Sequence, residues 1–138
     1  MSWGAIMRSP GDIAFSEYIR EEAYWICEWP GCYKDFSKNH GGLDCSHFKT
    51  RGNPRVRFDP DNVAALCKHH HDFVGKNPDE HDAFFRRRLG ETGYDLLIVR
   101  ANSRRKEKLD HKFEAIRWKA ALKDLKNKRD GVVFGKKA

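Results

Sequence analysis

Two pairs of soft ligands, far apart along the chain, set the first condition on any fold. Cys27 and Cys32 close a short turn, Cys27-Glu28-Trp29-Pro30-Gly31-Cys32, in which Pro30 and Gly31 bend the backbone so that both sulfurs can face one point. Cys67 and His70 follow downstream at i and i+3, a spacing that a helix presents on one face. Zinc takes four such ligands tetrahedrally, with sulfur at ~2.3 Å. One zinc ion held by Cys27, Cys32, Cys67 and His70 would pin the two segments together. Cys45 is left over, as a small buried residue or as a replacement for one of the four.

Reading the cysteines as ligands needs a reducing compartment. The start, MSWGAIMRSPGD, has no signal-peptide core, and no apolar run approaches the about 18 residues of a membrane span. The expectation is a cytoplasmic protein with thiolates rather than disulfides. At 138 residues the chain suits one domain.

Around the ligands the pattern predicts an α+β order. Ser9-Pro10-Gly11 is a turn signal, and Asp12 can cap a helix over 12–22 with Phe15, Tyr18 and Ile19 facing the core. Ala23 to Cys27 reads as a short strand and Tyr33 to Gly42 as a polar loop. Leu43 to Lys49 reads as the first strand of a hairpin, Thr50 to Pro54 as its loop and Arg55 to Phe58 as its return. A helix then starts at Asp59-Pro60, with Val63, Leu66, Cys67 and His70 as its inner stripe. Together 23–76 form a zinc-braced core. Over 77–100, Asn77 and Pro78 open a supporting helix that Gly90 stops, with Phe84, Phe85 and Leu89 packing inward. Tyr94 to Val99 can be strand or helix by periodicity. Over 103–129 a long helix carries two apolar stripes, one with Leu109, Phe113, Ile116 and Ala120 and the other with Trp118, Leu122 and Leu125. Gly131 to Ala138 reads as a frayed tail.

Charge is concentrated on that last helix. The chain carries a formal +7 with a pI near 9.3, and residues 104–129 hold eleven Lys or Arg against four Asp or Glu, 11 − 4 = +7. The remainder therefore balances to zero. A charge run is usually a solvated face; this concentration points instead to an anionic polymer, with Lys119, Lys123 and Lys126 against phosphates. The second apolar stripe would then need another surface, for which a second copy of the chain is the simplest candidate.

The stretch between the ligand pairs can carry hydrolytic chemistry. His47 titrates near neutrality and can act as a base. His71, next to the last zinc ligand, points about 100° around the helix from His70 and can ligate a second cation. Asn62 can fix the hairpin by hydrogen bonds. Asp44 offers the carboxylate that hard cations prefer, yet strand alternation sets Asp44, Ser46 and Phe48 opposite Cys45 and His47, so Asp44 helps only through a bulge or twist. Arg51, Arg55 and Arg57 could contact DNA. His40, His69, His81 and His111 read as solvated or packing residues.

His47, Asn62 and His71, with Leu66-Cys67-x-x-His70-His71, resemble an HNH endonuclease, the ββα-metal or His-Me finger. Phe15-Ser16-Glu17-Tyr18-Ile19-Arg20, Ser46-His47-Phe48-Lys49-x-Arg51-Gly52 and Arg57-Phe58-Asp59 followed by Asn62 are similar to the phage NinG/Rap recombination endonucleases. The similarity spans about residues 15–94 and not the basic helix. It implies cleavage of branched DNA, Holliday junctions and D-loops, by a phage-encoded enzyme in a bacterial host. His47 would be the general base, Asn62 the orienting residue and His71 a ligand to catalytic Mg2+ or Mn2+. The chain departs from that family in the four residues between Cys27 and Cys32, and in having His70 where cysteine, and His71 where asparagine, is frequent. The alternatives are an HNH nuclease of packaging or restriction type, and a zinc DNA-binding module without catalysis.

Overall fold

In the computed structural model, residues 7–104 and 108–134 are described, those of 131–134 by backbone alone. Among these residues the chain is α+β. Its elements are helix α1 (Pro10–Glu22), strands β1 (Leu43–His47) and β2 (Val63–Cys67), and helices α2 (Lys68–Lys76), α3 (Pro78–Ala101) and α4 (His111–Phe134). The expected tail after Gly131 is helical as far as Phe134, and 135–138 lie outside the described residues.

The two strands form an antiparallel pair in the register Leu43↔Cys67 to His47↔Val63. Strand, strand and helix thus follow in the expected order, with different residues in the second and third places. Arg55 to Phe58 is a turn rather than the returning strand, and the helix expected from Asp59 is only one 3-10 turn, Pro60–Asn62. Val63 to Cys67 is the strand, and it is buried throughout. A five-residue apolar run buried on both faces has no polar side to reveal its period, so it reads equally well as a helix stripe. Val63 joins an apolar cluster with Phe15, Ile19, Phe58 and Trp118, while Ala64 to Cys67 join another with Leu43, Val74, Phe84 and Phe85.

Four boundaries differ from the sequence reading. Ser9, not Asp12, caps α1: its hydroxyl accepts from the Asp12 N–H at 3.1 Å, and the Asp12 carboxylate accepts from the Ser9 N–H at 2.7 Å, a reciprocal capping box. Past Glu22 the chain does not enter a strand. Tyr24 and Trp25 take the left-handed region (φ 58° and 61°), and only an isolated bridge, Ile26↔Asp35, follows. Gly90 (φ 74°) breaks the helical geometry within α3, but the chain resumes helix through Tyr94 to Ala101. That settles 94–99 as helix. The last helix starts at His111 rather than Ser103, with Asp110 accepting from the Phe113 N–H at 3.0 Å.

The roles of the two stripes on α4 are reversed. Trp118 is buried, its ring 4.7 Å from Phe15 and 5.1 Å from Tyr18, and its indole N–H donates to Glu114 at 3.0 Å. Phe113 and Ile116 face outward instead, 56% and 66% exposed. The larger ring docks where α1 offers aromatic partners, so Trp118 is not part of the free surface expected for a second subunit, and Leu109 of the other stripe packs in the same cluster.

Candidate metal centre and catalytic cleft

The ligand atoms of Cys27, Cys32, Cys67 and His70 lie within 4.8 Å of one another, a set that could hold zinc. Cys67 Sγ is 3.3 Å from His70 Nδ1 and 4.0 Å from Cys32 Sγ, and Cys27 Sγ is 3.8 Å from His70 Nδ1. Local structure explains the convergence. Cys67 ends β2 and flanks α2 as its N-cap residue, so His70 lies in the first turn above it. The Cys67 N–H donates to Cys27 Sγ at 3.2 Å, a bond that favours thiolate. The Cys27–Cys32 turn is tied to the sheet through Glu28, whose N–H donates to the Ala65 carbonyl at 2.8 Å and whose carboxylate accepts from the Ala65 N–H at 2.8 Å. Trp29 stacks on His70 at 5.1 Å and on Phe84 at 5.2 Å, closing one side of the cluster. Burial pushes the Cys27 thiol up to about 12, so holding its sulfur as an anion calls for a cation. Cys45 stands apart from this set, its thiol pushed up to about 12 by burial beside the α1–α4 cluster, and fits the small-residue reading.

A cleft of about 530 Å³ has walls that include His47, His71, Asp44 and Asp72 together with Arg20 and Lys68. The structure thus brings together three residues singled out for the chemistry, from β1 (Asp44, His47) and α2 (His71). Asp44 borders the same cleft as His47 although alternation sets them on opposite faces.

His47 Nε2 lies 3.0 Å from the Arg57 carbonyl oxygen. A carbonyl only accepts, so Nε2 carries the hydrogen, and the neutral ring keeps its lone pair on Nδ1. Burial lowers the pKa of His47 below the ordinary 6.5, with the Arg57 carbonyl acting in the other direction, which favours the neutral ring. That is the protonation state and tautomer of a base.

Asn62 is fully buried, and its side chain bonds backbone groups rather than His47. Its amide donates to the carbonyls of Lys49 (2.8 Å) and Val56 (3.1 Å), its side-chain oxygen accepts from the Lys49 N–H (2.8 Å), and its own carbonyl accepts from the Phe48 N–H (2.8 Å). It therefore stitches the end of β1 to the loop that delivers the Arg57 carbonyl, orienting His47 through the backbone.

The arginines divide. Arg51 borders the cleft, 3.6 Å from Asp12. Arg55 bonds the Ser103 carbonyl. Arg57 is 7% exposed and turned inward, donating to both oxygens of Asp12 at 3.0 and 2.5 Å and to the Met7 carbonyl at 3.2 Å, which corrects the expectation of a DNA contact. A buried guanidinium needs its charge paired, and Asp12 is the carboxylate within reach. Lys119, Lys123 and Lys126 are exposed on α4, as a phosphate-facing row requires.

Sequence reasoning missed Asp12 as the partner of Arg57, and assigned no chemistry to His81 or Ser46. Ser46 had one signal, its place beside His47; the Asp12–Arg57 pair and His81 depend on tertiary contacts with no spacing to reveal them. No family model, curated protein or solved structure matches the chain.

Proposed function

We propose that the protein is a zinc-braced, metal-dependent DNA endonuclease of the HNH type, in which His47 is the general base. The observation that carries the reading is His47, tethered through Nε2 to the Arg57 carbonyl and bordering one cleft with His71 and Asp44. Zinc at Cys27, Cys32, Cys67 and His70 has a structural role, holding β2 and α2 against the Cys27–Cys32 turn.

Phosphodiester hydrolysis needs a base for water and positive charge at the scissile phosphate. His47 Nδ1 takes the proton, and the Arg57 carbonyl stabilises the imidazolium that results. Asn62 keeps that carbonyl in place. Arg20, Arg51 and Lys68 supply positive charge along the cleft. A divalent cation, Mg2+ or Mn2+, would add Lewis-acid stabilisation of the leaving oxygen. The donors present fit such an ion: His71 has a buried Nδ1 with no hydrogen-bond partner, and Asp44 offers a carboxylate. The basic row on α4 would hold the backbone of the DNA.

Branched DNA is the substrate we infer, from the likeness of residues 15–94 to the recombination nucleases. A second copy of the chain, placing two sites on a four-way junction, would have Phe113 and Ile116 as its exposed apolar contact. The test is a panel of linear, flapped and four-way DNA with Mg2+ or Mn2+. Preferential cutting of the branched forms is expected. Equal cutting of all three would favour a packaging or restriction type of nuclease, and intact DNA throughout would leave a binding module.

A further inference from the structure

Three buried polar atoms without hydrogen-bond partners belong to residues that line one cleft. They are Ser46 Oγ, His71 Nδ1 and His81 Nε2, and the cleft, about 310 Å³, is also bordered by His47 and Asp72. Leaving one buried polar group unsatisfied costs about 1–3 kcal/mol, so three on one wall form a costly arrangement unless something meets them. Ser46 is 1% exposed on β1. His81 is set in the first turn of α3, its ring held at 5.1 Å from Phe48 and 5.5 Å from Phe85. His71 reaches the same cleft from α2. Three separate elements thus line one cleft with polar donor atoms.

We infer that Ser46, His71 and His81 frame a site for one divalent transition-metal ion, with the imidazoles of His71 and His81 as ligands and the Ser46 hydroxyl as the third polar group facing it. Two imidazoles suit cobalt, nickel or zinc, and accept manganese more readily than magnesium, which prefers an all-oxygen shell. Asp44 borders the neighbouring cleft but is not among the residues lining this one. His71 borders both clefts, and His81, on the following helix, is the ligand this one adds beside it. The role of the ion in cleavage rests on the nuclease reading; the site itself does not.

The test uses the full chain with its thiolate site loaded with zinc, titrated with Mn2+, an ion that thiolates do not select. Calorimetry is expected to show one Mn2+ per chain beyond zinc, weakened by about 10–100-fold or more in both H71Q and H81Q, with zinc content and circular dichroism unchanged. Pulsed electron paramagnetic resonance of Mn2+-loaded wild-type protein should show coupling to two imidazole nitrogens, a readout that needs no variant. No Mn2+ uptake, wild-type affinity in H81Q, or a single coupled nitrogen would each overturn the inference. Uptake as expected with no DNA cleavage would keep the site and discard the nuclease. Cleavage with wild-type Mn2+ affinity in H81Q would do the reverse.

Discussion

The Asp12–Arg57 pair shows how one residue can serve two purposes. Asp12 completes the capping box of α1 and also neutralises a buried guanidinium on the loop whose carbonyl holds His47. Burial alone would raise the pKa of Asp12, but its bonds from Arg57 and Ser9 outweigh that and lower it from 3.8 to about 2. A carboxylate whose folded value is depressed adds stability above its unfolded value and loses it as pH falls through the folded one. The window is therefore pH 3.8 to 2, and the contribution about 2 kcal/mol. D12N should cost about 3 kcal/mol at pH 7, because it leaves the Arg57 charge buried and uncompensated. The stability gap between wild type and D12N, from urea unfolding, should narrow as pH falls through that window; a constant gap would refute the pairing. The sequence placed Asp12 correctly at a helix start. Its partner lies on a distant turn, and no local rule connects the two.

The boundary between β2 and α2 is the element on which the metal centre depends. Ligand spacing was legible in the sequence because it is chemistry, and the four residues converge as it requires. The type of element around Cys67 was not, because Val63 to Cys67 is buried on both faces and alternation cannot appear in it. Cys67 is the junction, last in the strand and at the N-cap position of the helix, and an ion there would join the strand, α2 and the Cys27–Cys32 turn. Removing zinc should therefore unfold this part of the molecule, since binding energy in such sites is folding energy. Circular dichroism melts before and after chelation, and for C32S, should show loss of the cooperative transition. A chelated protein that melts as before would show that the four residues need no ion.

At the scale of the molecule, the chain carries a thiolate centre, a cleft of histidines, acids and arginines, and a row of exposed lysines on α4. No described helix is long and apolar enough to cross a membrane. The charge asymmetry was readable from composition, while the burial of Trp118 was not, because either stripe of α4 could have met α1. Replacing Lys119, Lys123 and Lys126 together with alanine should weaken binding to all DNA sequences and flatten the salt slope by up to ~0.9 log units for each phosphate left unneutralised. An unchanged slope would move the DNA off α4. The functional reading turns on His47 as the base of a metal-dependent nuclease, and the decisive experiment is nicking of supercoiled plasmid by zinc-loaded wild type and H47A, with and without Mn2+. Wild type should nick only with Mn2+, and H47A should be slower by ~10²–10⁴ at equal zinc content and DNA affinity. Nicking by H47A at the wild-type rate, or none by wild type, would overturn the assignment.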